Sequence, residues 1–226
     1  MRRFYKEVAV ADGGAILLDS KPVKTPARAD LILPTPALAE AVAAEWRAQG
    51  DEIDPRTMKL TGLSNAAIDR VAPDLASFVR PLAAYAESDL LCYRADAPAE
   101  LIARQAEAWD PLLDWARARF DVHFAVTKGI VHAPQPDATV ARLGEALAAY
   151  DAFPLAGLAP IITIGGSLVT ALALAEDEID ADSAFDLTHL DELWQARRWG
   201  EDRLALEARA VRKRDFMAAA ELLDLL

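Results

Sequence analysis

The chain predicts an α+β fold, with a small N-terminal α/β unit of short antiparallel strands and a helix over residues 1–62 and a larger all-helical domain over residues 63–226. Three observations carry that reading. The opening segment sets short apolar runs between Gly and Pro, the punctuation of hairpins. From Ser64 onward the apolar residues recur at helical spacing. A chain of 226 residues that is 53% hydrophobic and 27% charged has enough apolar side chains to bury a core, which argues against disorder.

Taken in order, Phe4 to Val10 reads as a strand, Asp12-Gly13-Gly14 as a turn, and Ala15 to Leu18 as its partner. A turn at Ser20-Lys21-Pro22 leads to Val23 to Thr25, and Leu31 to Leu33 adds a further strand. Thr35-Pro36 is a helix start, with Thr as N-cap and Pro at the first helical position. The helix should reach about Gln49 and stop at Gly50. Leu38, Val42, Glu45 and Trp46 share one face, which places Trp46 against the strands.

In the second part, Leu75, Phe78, Val79, Leu82 and Tyr85 follow a buried helical stripe. Pro98 to Phe120 is a long helix on which Leu101, Gln105, Trp109, Leu112 and Ala116 align, with Pro111 expected to bend it. His123 to Thr127 reads as extended and Lys128-Gly129 as a turn. Single helices are expected over Ala138 to Tyr150, Pro154 to Ala175 and Asp182 to Gly200, with more helix to the C-terminus. Phe153 to Ala175 is 23 positions without a charge, long enough to span a bilayer. Its prolines and glycines and its acidic flanks, Asp151 and Glu176-Asp177-Glu178, favour a buried core helix instead, so no stable membrane insertion is expected.

The net charge of −12 opposes nucleic acid and anionic membrane surfaces, because binding phosphates requires clustered Lys and Arg. A single cysteine, Cys92, excludes an internal disulfide and fits a reducing compartment. Its neighbours Leu90, Leu91 and Tyr93 suggest a buried thiol. The N-terminus passes straight into strand-like sequence, without an apolar signal core or an Arg/Ser-rich leader, so the chain is expected to stay where it is made.

No catalytic, cofactor or metal constellation stands out. His123, His132 and His189 lack the i, i+4 pairing of a helical zinc site. His189 with Glu192 is an i, i+3 pair that a metal can use, but a hydrogen-bonded helix-surface histidine is the commoner case. Gly165-Gly166-Ser167 lacks the lysine and the glycine spacing of a phosphate loop and is better explained by close helix packing. Asp69, beside Arg70 and near Ser64-Asn65, reads as a group that pairs near Arg70 or caps locally, with no further support for a catalytic role. Eight carboxylates and no Lys or Arg lie between Glu176 and Glu192, a pattern of helix starts that can also face a basic partner.

The densest segment is Leu190 to Asp202, LDELWQARRWGED. On one helix, Leu187, Leu190, Trp194 and Arg197 form a core-facing stripe. Glu192, Gln195, Trp199 and Asp202 form a second, in which an aromatic among polar groups suits a protein contact. Paired carboxylates here also allow an alternative, a carboxylate-based hydrolase of unrecognised type. A general interaction module with another client is the remaining option.

Several segments together resemble the ATP-twelve type family of F-type ATP synthase assembly chaperones. They are RRFYKEV at Arg2 to Val8, KTPAR at Lys24 to Arg28, AAEW at Ala43 to Trp46 and LSNAAIDRV at Leu63 to Val71. YAESDLLCYRAD at Tyr85 to Asp96, WDPLLDWA at Trp109 to Ala116, GSLVTALAL at Gly166 to Leu174 and LDELWQARRWGED complete the set. The chain departs from the family pattern at Met58-Lys59 and Gly62, where that family often has Met-Pro before its Leu-rich segment. The resemblance implies a two-part fold and no catalysis or cofactor. It also implies a chaperone that binds the alpha subunit of the catalytic head and shields its interface until the hexamer assembles, because an unassembled subunit exposes apolar surface prone to aggregate. It marks Glu192 as a functional acid, with Gln195, Trp199 and Gly200 completing the matching pattern; Asp202, on the second stripe, joins them as a partner-binding candidate. Trp46 matches a family tryptophan. A bacterial, cytoplasmic, monomeric protein is expected, with mitochondrial relatives in eukaryotes.

Overall fold

The structure, a computed structural model, describes residues 1–129 and 131–226. The α+β expectation holds: a small antiparallel sheet lies near the N-terminus and helices dominate the rest. The chain forms two compact units. The first comprises Met1–Leu75 together with Asp151–Gly157 and Ala218–Leu226, and the second comprises Ala76–Tyr150 and Leu158–Met217.

In the first unit, β1 (Val8–Val10), β2 (Ile16–Leu18) and β3 (Lys21–Pro22) form an antiparallel sheet with Val8 opposite Leu18 and Leu18 opposite Lys21. Lys21-Pro22 is strand rather than turn. The reversal falls one step earlier, on Asp19 and Ser20, both at positive φ, the geometry that matches strand twist in a two-residue hairpin. Between Val23 and Leu33 the described residues form isolated bridges, Lys24 with Asp30 and Ala15 with Ile32, so the strands expected at Val23 to Thr25 and Leu31 to Leu33 do not extend.

Helix α1 (Pro36–Arg47) starts as its sequence dictates: the Thr35 hydroxyl accepts the Leu38 N–H at 3.1 Å. Leu38, Ala39, Val42 and Ala43 are buried. Trp46 packs on the cluster of Tyr5, Leu18, Ile53 and Met58, edge-on to Tyr5 with ring centroids 5.7 Å apart. The Glu45 carboxylate, on the same face, accepts the N–H groups of Leu60 and Thr61 at 2.8 Å each. It thereby caps α2 (Lys59–Ala66), whose own N-cap, Met58, makes no side-chain bond. A π-helical turn, Ala67–Val71, follows. Asp69 within it accepts from the Thr25 hydroxyl at 2.6 Å and the Ala27 N–H at 2.9 Å, a tie between this turn and the strand-end loop.

The second unit contains α3 (Leu75–Ala83) except for its first residue, and the central helix α4 (Ala99–Phe120). The stripe read from sequence on α4 is the buried one: Leu101, Gln105, Trp109, Leu112 and Ala116 are each at most 6% exposed. Tyr93–Arg94 (β4) and Thr127–Lys128 (β5) pair in parallel. Helix α5 (Asp137–Ala148) follows.

The single helix expected over Pro154 to Ala175 is two, α6 (Ala152–Gly165) and α7 (Leu168–Ala175). Gly166 takes φ +69° and Ser167 then caps α7 by accepting the Thr170 N–H at 3.0 Å. The adjoining Gly165 lies so close to Thr188 that a Cβ there would meet its methyl group at 3.0 Å. Every residue from Leu168 to Leu174 is buried. Among the described residues no helix is long and apolar enough to cross a membrane.

At the start of α7 stands Asp89, fully buried, whose carboxylate accepts the N–H groups of Leu91 and Val169 at 3.0 Å each. Burial raises its pKa to about 6, against the opposing pull of those N–H donors. Cys92 beside it is buried, and burial pushes its thiol up to about 12, so it stays protonated and unreactive.

Candidate functional site

The single helix expected over Asp182 to Gly200 also divides, into α8 (Ala181–Thr188) and α9 (Leu190–Trp199). The break is at His189, which leaves helical geometry at φ −108°, ψ 16°. Its ring stacks on Phe185 at 3.9 Å, and its Nδ1 lies 2.9 Å from the Phe185 carbonyl. Burial and the nearby charge of Arg212 lower its pKa, while the Phe185 carbonyl and Glu192 pull the other way. The first sequence stripe therefore does not run straight through from Leu187 to Leu190.

Within α9 the charges suit the dipole, with Asp191 and Glu192 in the first turn and Arg197 and Arg198 in the last. Gly200 ends it at φ +87°, a conformation that glycine adopts without strain. Asp202 lies past that end, where its carboxylate accepts the Ala205 N–H at 3.1 Å and starts α10 (Arg203–Asp224). Asp202 is thus a cap on the next helix rather than a member of the α9 face.

Glu192 is half-buried and turned toward α10. Its carboxylate meets Arg212 at 2.5 Å and Arg209 at 3.5 Å, and Arg209, 9% exposed, also contacts Glu201. Sequence reasoning missed both arginines. Their signal was faint, two cations three residues apart on α10 in a segment otherwise read only as helix.

Gln195 and Gly200 are exposed. Trp194 is buried, while Trp199 stands edge-on to it at 5.5 Å and 89° and remains 70% exposed. The neighbouring α10 adds Leu204 and Val211, 66% and 47% exposed and seven residues apart on one helical face. The sequence stripe did not include these two exposed apolar side chains of the helix that follows Trp199 in the chain.

A hollow of about 490 Å³ borders the same region and includes Trp109, His189, Asp191, Glu192 and Arg212. Its ionisable groups are engaged with one another or with the fold. Asp191 accepts from Gln105 at 2.8 Å, Glu192 holds the two arginines, and Arg212 Nε points at His189 Nε2 at 3.4 Å. The His189 and Glu192 pair is likewise engaged, and among the described residues no cluster of three His, Cys, Asp or Glu side chains is arranged to hold a metal.

The acidic run resolves mostly into internal contacts. Glu176 pairs with Arg119 at 2.6 Å, Asp180 caps α8 through Ser183 at 2.9 Å, and Lys213 takes Asp182 at 2.6 Å and Asp186 at 4.0 Å.

Comparison with known proteins places the chain in a family. Residues 2–117 match the model of the ATP12 chaperone protein family. The crystal structure of Atp12 from Paracoccus denitrificans superposes with a TM-score of 0.92 at 40% identity, over 99% of this chain and 97% of that one. A structure from Agrobacterium tumefaciens matches at 42% identity and the same TM-score, over 99% of this chain and 85% of the other. The mitochondrial protein atp12 of Schizosaccharomyces pombe is 24% identical over 216 residues, covering 88% of this chain and 74% of that protein.

Proposed function

The chain belongs to the ATP12 chaperone family, and from that membership we propose that it assists assembly of F-type ATP synthase by holding the alpha subunit until the catalytic head closes. A chaperone needs a surface that binds apolar client without burying it permanently. The observation that supports this reading most is Trp199, a large aromatic 70% exposed at the end of a helix whose one buried residue is its neighbour in contact, Trp194. Aromatics of this kind anchor protein contacts through desolvation of their faces, with polar neighbours fixing orientation. Gln195 and Gly200 lie exposed in the same segment. Leu204 and Val211, exposed on one face of α10, are further apolar side chains open to a client. Glu192 acts one step back, by fixing α9 to α10 through Arg209 and Arg212.

The proposed working state is a monomer in a bacterial cytoplasm, free of cofactor, with no chemical step. Co-expression with the alpha subunit of the same organism and affinity capture tests it. The wild type is expected to retain the alpha subunit at low and moderate salt. Trp199→Ala is expected to reduce retention by about tenfold or more, the effect of a contact hot spot, with an unchanged melting temperature. Absence of alpha subunit from the wild-type capture would refute the reading.

A further inference from the structure

Away from Trp199, α4, α8 and α9 enclose a groove of about 440 Å³. Its floor is apolar: Leu187, Leu190 and Leu193 line it, each only half-buried, beside the buried Trp194. Its rim is charged, and the pairing of those charges is uneven. Arg104 is held by Glu100 at 3.1 Å, and Asp182 and Asp186 share Lys213. Glu107 on α4 and Arg197 on α9 line the same groove, are exposed, and have no ion-pair partner among the described residues.

A leucine floor between two unpaired charges of opposite sign is an incomplete arrangement. Water solvates the leucines poorly, and the two charges form no ion pair with each other. The occupant that completes it is amphipathic: apolar side chains for the floor, a cation for Glu107 and an anion for Arg197. A helix supplies that set on one face, with apolar residues at i and i+4 and charges on either side, as in helix-in-groove recognition. A lipid tail or a simple anion would leave one of the two rim charges unanswered.

We propose that this groove docks an amphipathic helix of the client, seated on Leu187, Leu190 and Leu193 and oriented by Glu107 and Arg197. The proposal rests on the alpha-subunit reading above and adds to it a second contact, apart from Trp199. The rim charges set the direction of the bound helix, since reversing it brings like charges together.

The test uses the full chain co-expressed with the alpha subunit. Glu107→Lys and Arg197→Glu, both at exposed positions, are each expected to weaken retention about two- to fivefold, the scale of one solvent-exposed ion pair, with wild-type melting temperature. The loss should shrink in high salt. A photo-crosslinking amino acid in place of Leu193 should attach to a helical segment of the alpha subunit. Wild-type retention by both charge variants, or crosslinks only to a second copy of this chain or to none, overturns the groove while the alpha-subunit reading stands. Failure of the wild type itself to retain the alpha subunit removes both.

Discussion

Glu192 shows how a residue's contacts decide what its substitution reports. Sequence marks it as an acid in a contact-rich segment, whereas its carboxylate is committed to Arg212 at 2.5 Å and Arg209 at 3.5 Å. Charge reversal there gathers three cations, with Arg209 only 9% exposed, so its repulsion is poorly screened. Glu192→Lys is therefore expected to lower stability by about 1–3 kcal/mol, as removal of a partly buried ion-pair partner does. Thermal unfolding beside client capture separates the effects: an unchanged melting temperature with lost capture would return Glu192 to the client surface. Trp199 is the opposite case, since its exposed ring contributes little to the fold that its neighbour Trp194 does not already supply. Spacing set Trp199 apart from the core-facing stripe of Trp194, but the extent of its exposure follows from where α9 ends, which the structure alone decides.

At the scale of elements, the junctions are what the sequence hid. Periodicity located the helical segments, but it merged α6 with α7 and α8 with α9. An apolar run continues through Gly166, and the polar pattern continues through His189, so neither break disturbs the count of apolar residues. The breaks come from φ +69° at Gly166 and from the stacking of His189 on Phe185. Asp89 then secures the α7 start from outside, through Leu91 and Val169. Burial raises its pKa from an ordinary 3.8 to about 6, so the folded protein binds this proton more tightly than the unfolded chain. By linkage, its contribution to stability is fully present below pH 3.8 and falls as pH rises to about 6. Asp89→Asn removes that titration. The stability advantage of the wild type over the variant is expected to shrink on going from pH 4 to pH 7 by on the order of 2 kcal/mol. Urea unfolding of both proteins at the two pH values measures it, and a difference independent of pH would exclude the shift.

Over the whole molecule, internal pairing of the acidic run leaves the net charge of −12 untouched, and the long-range field depends on that sum. If the proposed alpha-subunit surface is basic, its association with this chain is steered by that field. Raising ionic strength from about 0.01 M to about 1 M shortens the screening length from about 30 Å to about 3 Å. Stopped-flow association with the alpha subunit is expected to slow by at least about tenfold over that range. A rate indifferent to salt would assign binding to the apolar contacts alone.

What the sequence by itself determined is the α+β class, the buried stripe of α4, the Thr35 cap, the seat of Trp46 and the family. Each follows from local chemistry or from the order of short motifs, which the chain carries in one dimension. Only the tertiary structure decided that Asp151–Gly157 and Ala218–Leu226 join the first unit. It alone set Glu192 between two arginines and left Glu107 and Arg197 on one groove without an ion-pair partner among the described residues. Those outcomes depend on which distant segments meet. Helical periodicity records the face that a residue occupies on its own helix, and carries no record of what that face will touch.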